Sequence, residues 1–308
     1  MKALRCVLVC VLPLLFFSNC ERETNQGLIN NDPVYIPDRA LLYDLITLGI
    51  DTNGDSIVSY GEAAEVTELD ITNSYGKYVT DATGLEAFVN LSSLIFRCNA
   101  VDVLDFSKNT ALKKVWVYDN ALKRIDVSKC DKLEELLVGS EGYCFKNRLT
   151  ELDVSKNSHL KVLKCGNNLL GHLDVSQNPQ LEILECHLNQ LEEIDLSHNS
   201  ALLEFSAWNN LLVKLDVSAC PLLKVLDFRG NKLTEIDLSN NESLEELDGC
   251  RNFISKIHLC CNNTLSRIQL AEMPSLEQVC VWTLPFPPEG VYIDVSGESG
   301  ITFAQACR

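Results

Sequence analysis

The side chains best suited to chemistry in this 308-residue chain are carboxylates. Seven aspartates, Asp105, Asp126, Asp153, Asp174, Asp195, Asp216 and Asp237, stand 21, 27, 21, 21, 21 and 21 residues apart, each in a stretch of the form LDVSxN. Carboxylates at a fixed pitch suit a ladder of cation sites or an acid–base array. Strand-spaced at ~4.8 Å, they repel by roughly 0.9 kcal/mol per pair in bulk water, so the row needs compensation. A structural device supplies it: each Asp accepts a backbone N–H about two residues ahead, where SxN turns. That device explains why the Asp travels with Ser and Asn, and it is what the pattern predicts. A second set of oxygens lies in DTNGDSIVSYGE, where Asp51, Asn53, Asp55, Ser59 and Glu62 occupy positions 1, 3, 5, 9 and 12. Ile57 would offer its carbonyl at position 7. Nucleophilic chemistry finds no support. There is no GxSxG elbow, HExxH pair, glycine-rich phosphate loop or CxxC, and His159, His172, His187, His198 and His258 share no position that would give them a common partner.

The elements that carry these residues follow from the period. A repeat near 21 residues predicts a solenoid. The unit Leu160–Gln180, LKVLKCGNNLLGHLDVSQNPQ, reads LxxLxLxxNxLxxLDVSxN, and the next two units repeat it. Each LxL alternates in and out with period two, a short strand. An asparagine follows where the chain leaves the strand, at 99, 120, 147, 168, 189, 210, 231, 252 and 263. A buried amide there can satisfy backbone groups freed by the turn. Two irregularities stand out. GSEGYCFKN, Gly139 to Asn147, adds six residues, and the spacing from Asn252 to Asn263 is eleven, which reads as a half-coil.

This pattern resembles the leucine-rich repeat, in the nested subclass where LxxLDVSxN is itself a second LxxLxVxxN, common in internalin-like bacterial surface lipoproteins. The resemblance implies a solenoid of about nine ~21-residue coils with parallel β-strands, some 40 Å long. The repeats span 91–282, between an N-terminal cap at 38–90 and a small C-terminal cap at 283–308. Within the first cap, the Asp51–Glu62 loop resembles an EF-hand calcium loop, and DRALLYDLITLG and YGEAAEVTEL predict helices on its flanks. The resemblance implies a structural calcium bound by Asp51, Asn53, Asp55, Ile57, Ser59 and Glu62; an unfilled, vestigial loop is the alternative. Ser56 stands where such loops have glycine, at a position that requires positive φ.

Residues 1–19 read as a signal peptide: Lys2 and Arg5, then a twelve-residue apolar run, Cys6 to Phe17, too short to span a bilayer. The cysteine after it resembles a lipobox, with Cys20 as the lipid attachment and 20–37 as a tether; a plain secretory signal is the other reading. These resemblances imply an outer-membrane lipoprotein, exposed at the surface of a Gram-negative cell, monomeric and touching the membrane only through its lipid. With 26 basic against 43 acidic side chains and a net charge of −17, the chain offers no stripe for nucleic acid. Of fourteen cysteines, Cys165, Cys186 and Cys260 fall in an inward leucine column, and Cys130 and Cys220 replace the turn asparagine of the LDVSxN half. Most therefore read as free core thiols, with a disulfide framework the alternative and a Cys280–Cys307 bridge open.

Comparison of the repeats with one another points to function. The outward position of the LDVS half is Asp seven times, as scaffold requires. The outward positions of the LxL half change at every coil, from Ile95 and Arg97 to Cys280 and Trp282. Trp116, Tyr118, His187, Trp208 and Arg229 lie on these variable strands, and neighbours in one column should stand about 5 Å apart. They are the candidate ligand-binding residues, suited to protein or sugar rings, and the insert could overhang them with Tyr143 and Phe145. The expectation is a surface-anchored binding or adhesion module without catalysis. An envelope spacer, or an enzyme with an unrecognised site, is the alternative.

Overall fold

The computed structural model describes residues 31–73, 77–140, 142, 144–297 and 300–305. Each LxL forms a three-residue strand with its middle side chain buried, because the period-two alternation puts one leucine of each coil inward. These strands build one parallel sheet of eleven, centred on Leu69, Leu94, Val115, Leu136, Leu163, Leu184, Phe205, Leu226, Leu247, Ile268 and Ile293. Equivalent residues pair without slippage: Leu163 with Leu184, Leu184 with Phe205, Phe205 with Leu226. The fold is thus a leucine-rich-repeat solenoid, with about eleven coils rather than nine. Pairing continues past residues 91 and 282 to take in Glu68–Asp70 and Tyr292–Asp294. These end strands have the same alternation, but their coils lack the asparagine that marks most of the others; Met273 replaces it in the coil of Arg267–Gln269 as well.

The LDVSxN halves behave differently. Val103–Asp105 pairs with Arg124–Asp126, and Lys256–His258 pairs with Gln278–Cys280, which pairs with Thr302–Ala304. Around Asp153, Asp174, Asp195, Asp216 and Asp237 the chain forms no strand. The coils are thus held at strand spacing along one side and left without strand pairing along much of the other. The half-coil expected after Asn252 is absent. Asn262 and Asn263 are adjacent, and the buried, structural one is Asn262, while Asn263 is exposed. KIHLCCN is a further LDVSxN half with His258 in the Asp position and Cys260 in the Ser position, so Cys260 does not occupy the inward column.

Two asparagine columns hold the coils together. Asn189 donates its Nδ2 to the carbonyls of Cys165 and Cys186 (3.0 Å each) and accepts the Leu170 N–H at Oδ1 (2.9 Å). In the second column Asn178 donates to the carbonyls of Val154 (3.0 Å) and Asn157 (2.9 Å), but its buried Oδ1 has no partner. Cys220 takes the same position, its thiol facing the carbonyls of Asn199 (3.5 Å) and Leu196 (3.8 Å). Where no acceptor is needed, a thiol can stand in for an amide. The residue before most first-column asparagines is left-handed, with φ of 57° at Asn167, 51° at Leu188, 51° at Asn209 and 67° at Gly230; Lys146, in the longer coil, is the exception.

The N-terminal end is covered by α1 (Arg39–Thr47) and α2 (Tyr60–Glu65), both where the flanks of the loop predicted them. Asp38 caps α1 through the N–H groups of Ala40 and Leu41 and ties it with its other oxygen to Thr80. Leu41 and Leu45 close the apolar core, each adding about 2 kcal/mol of burial.

Candidate functional site

The aspartate row resolves into scaffold. All seven aspartates accept the N–H of the serine two residues on, at 2.8–2.9 Å. At Asp126, Asp153, Asp174, Asp195 and Asp237 that N–H, then the serine hydroxyl, lowers the carboxyl below its ordinary value; at Asp216 the hydroxyl of Ser218 leads. Repulsion from neighbouring aspartates acts against this at Asp153, Asp174 and Asp216 and loses. The even 4.8 Å spacing does not hold here: only Asp105 and Asp126 sit on paired strands, and the gaps between the other coils open as grooves such as the 470 Å³ one between Asp174 and Asp195.

The Asp51–Glu62 loop closes on itself. Asp51 accepts the N–H groups of Gly54 (2.8 Å) and Ser56 (2.8 Å), and Asn53 and Asp55 each accept the N–H two residues ahead. Glu62 reaches back to the Thr52 N–H (2.7 Å) and forms a capping box with Ser59, which holds its carboxyl down at about 2, the Ser59 N–H acting first. Ser56 adopts φ 66°, the strained conformation that its lack of glycine predicts. The oxygens are of the type calcium takes, but they turn toward the loop's own N–H groups. Among the described residues no group of three or more His, Cys, Asp or Glu is placed to hold a metal.

The variable columns lie on the eleven-stranded face. His187 and Trp208 stack in parallel, 4.6 Å apart and 4° from coplanar. Arg229 lies over the other face of Trp208 at 4.9 Å. The ladder starts against Gly166, whose missing Cβ leaves room for the His187 ring. Burial lowers the His187 basicity, with Arg229 and Lys164 acting the same way against Glu185, which favours the uncharged ring. Arg229 also bonds Asp248 (2.9 Å) and lies 3.5 Å from Asp227. These two aspartates face each other across adjacent strands, and burial drives the Asp227 carboxyl up to about 6 despite Arg229. The sequence reading missed this carboxylate pair, although its 21-residue spacing on the outward column was visible. Trp116 donates its indole N–H to Glu135 (3.1 Å), and Tyr118 lies under Arg97 at 5.3 Å. Trp116 and Tyr118 thus form a second group, three strands from His187, so the five candidates share a face but not one pocket.

Three expectations are corrected. Cys280 and Trp282 are not on this face. Cys280 pairs within the aspartate-side sheet, Trp282 packs on Phe286, and the variable columns end at Gln269, Ala271, Asp294 and Ser296. The insert is tied toward the N-terminal end by a Cys98–Cys144 disulfide, and Phe145 packs edge-on against Tyr78 rather than over the His187–Arg229 ladder. Tyr143 and Cys20 lie outside the described residues. Finally, Cys280 is a buried free thiol, so the Cys280–Cys307 bridge is not formed, whereas Cys260 is disulfide-bonded. Cys130, Cys165, Cys186 and Cys220 are free and buried as expected, and burial pushes the Cys165 thiol up to about 12.

With this geometry in view, comparison with known proteins is informative. No family model and no curated protein matches the sequence. Solved structures do. The functional domain of InlJ from Listeria monocytogenes, described as including a cysteine ladder, aligns with a TM-score of 0.66 and 29% identity over 80% of this chain. The chain spans 55% of that domain. Internalin C2 from the same organism aligns at 0.58 and 19% identity, covering 70% of this chain and 96% of that one. A TDR receptor aligns at 0.57 and 18%, covering 72% and 52%. The structural neighbours are thus internalin-like and receptor-type leucine-rich-repeat proteins. In this chain two consecutive coils place cysteine at one inward position, Cys165 and Cys186. Among the described residues no helix is long and apolar enough to cross a membrane.

Proposed function

We propose that this chain is an exported, envelope-anchored binding module that presents its eleven-stranded face to a protein partner and carries out no catalysis of its own. The observation that carries this is the His187–Trp208–Arg229 ladder, a pre-stacked group on the one face whose residues differ from coil to coil. Aromatic and arginine side chains held in place lose little entropy on binding, which is what makes such groups hot spots. Both faces of Trp208 are covered by the protein itself, so a sugar ring has no free indole face to stack on, and protein is favoured over glycan. The internalin-like neighbours and the Cys98–Cys144 disulfide, a bond kept in oxidising compartments, support the same reading. The anchor rests on Cys20 and the sequence pattern around it. The test is an array of purified extracellular proteins and glycans probed with the full chain. The expected result is a protein ligand whose binding weakens at least tenfold on Trp208→Ala with Arg229→Ala; undiminished binding by that double variant would place the site elsewhere.

A structural calcium in the Asp51–Glu62 loop is a second proposal. It is supported by five oxygen-bearing side chains in one loop between two formed helices. Calorimetric heat at millimolar calcium and a lower Tm with chelator are expected; neither effect would leave the loop closed by its own hydrogen bonds alone.

A further inference from the structure

The eleven-stranded face divides into two electrically different halves. On its N-terminal half, Ile95, Trp116 and Leu137 are in register on three consecutive strands, and Val162 and Ile183 on the next two. Ile95, Trp116, Val162 and Ile183 are half-buried on the outward side of the sheet, and Leu137 between them is buried. The charges beside these residues are matched within the chain, Lys114 with Glu135 (3.0 Å) and Lys164 with Glu185 (2.7 Å). On the C-terminal half, from Glu204 onward, the outward positions carry five carboxylates, Glu204, Asp227, Glu246, Asp248 and Asp294, against two guanidinium groups, Arg229 and Arg267. Arg229 is committed to Asp248 and Asp227. Glu204 and Glu246 are exposed and form no ion pair among the described residues.

From this charge pattern, and resting on the binding reading above, we infer that the partner is a protein surface with an apolar centre flanked by lysines or arginines. The apolar centre covers Trp116 and its neighbours, and the basic flank meets Glu204 and Glu246. A neutral partner would desolvate those carboxylates without compensation. An acidic one, a second copy of this chain included, would meet a surface of its own sign on a chain of net charge −17. Opposite charge on the partner removes the first cost and steers the encounter.

The experiment uses the same array and the full chain in four forms. These are wild type, Trp116→Ala, the reversal Glu204→Lys with Glu246→Lys, and a control reversal Glu193→Lys with Glu235→Lys. The control makes the same charge change at exposed residues that line the aspartate-side grooves. The expected ligand is a protein with a basic patch. Its association rate should fall about tenfold with the Glu204/Glu246 reversal and fall with salt from about 50 to 300 mM, and change less than about threefold with the control. Trp116→Ala should raise the dissociation rate. Equal loss with both reversals means unspecific attraction to a negative chain and overturns the inference. So does a ligand indifferent to the Glu204/Glu246 reversal, an acidic or glycan ligand, or self-association; a protein ligand of this kind that still depends on Trp208 and Arg229 leaves the binding reading intact. No ligand of any class overturns both.

Discussion

At the scale of single residues, the same side chain serves opposite ends according to what surrounds it. Exposed aspartates in the LDVS turns are held below their ordinary pKa by serine N–H groups, whereas Asp227, half-buried beside Asp248, is pushed up to about 6 by burial. A carboxyl raised in the fold favours the folded state below its unfolded pKa, 3.8, and loses that contribution as pH rises through about 6. Asp227→Asn should therefore stabilise the protein at pH 8 by about 1–2 kcal/mol, allowing for residual solvent screening, and flatten the stability profile between pH 4 and 6.5 in denaturant titrations. The asparagine columns make a second residue-level prediction. Asn178→Cys removes an amide whose oxygen is unused and copies Cys220, so it should cost about 1 kcal/mol. Asn168→Cys strands the buried Leu149 N–H that its Oδ1 accepts at 3.0 Å, so it should cost about 2–3 kcal/mol in the same assay. That a thiol could replace the turn asparagine was legible in the sequence at Cys130 and Cys220. Which column tolerates it was not, because the two asparagines look alike until their oxygen partners are known.

At the scale of elements, most coils have one conformationally demanding residue, the left-handed position before the first asparagine. Asn167, Asn209 and Gly230 tolerate it; Leu188, at φ 51°, does not do so readily. Leu188→Asn should gain about 1 kcal/mol and raise Tm by about 2–4 °C. The insert is an element of its own, closed by Cys98–Cys144. Cys98→Ser with Cys144→Ser should cost about 2–4 kcal/mol and open residues 144–146 to limited proteolysis, while the spectrum of the eleven-stranded sheet stays unchanged. The strands inside 91–282 and the Asp–Ser turns could be read from periodicity, and the helices α1 and α2 from the loop they flank. The disulfide could not, since Cys98 and Cys144 meet only once the longer coil is folded back, and sequence gives spacing without direction. The half-coil reading failed for a related reason: where two asparagines adjoin, period alone does not say which is buried.

At the scale of the molecule, the solenoid was legible because a repeat with one inward leucine column has one way to bury it, by stacking. Its ends were read too short, since the end strands keep the alternation and drop the asparagine. The difference between the two sides was not legible either: nested halves look equivalent in sequence, yet one side forms eleven paired strands and the other leaves five coils unpaired. The whole column shares an acid response. Six LDVS aspartates, together with Asp294, have carboxyls below the ordinary value, so the stability they supply is complete above pH 3.8 and fades as pH falls below it. Unfolding followed by circular dichroism should accordingly steepen below pH 3.8, and less so in a variant with Asp174, Asp195 and Asp216 changed to Asn. The unshifted register from Leu163 to Leu247 has a genetic consequence. Misaligned crossing-over between repeats in the coding DNA adds or deletes a 21-residue unit and still leaves every coil with a neighbour of matching shape. The length of the eleven-stranded face is then heritable variation that costs no new interface. The coils joined by Cys98 and Cys144 are the exception, because a unit gained or lost between them separates the two sulfurs.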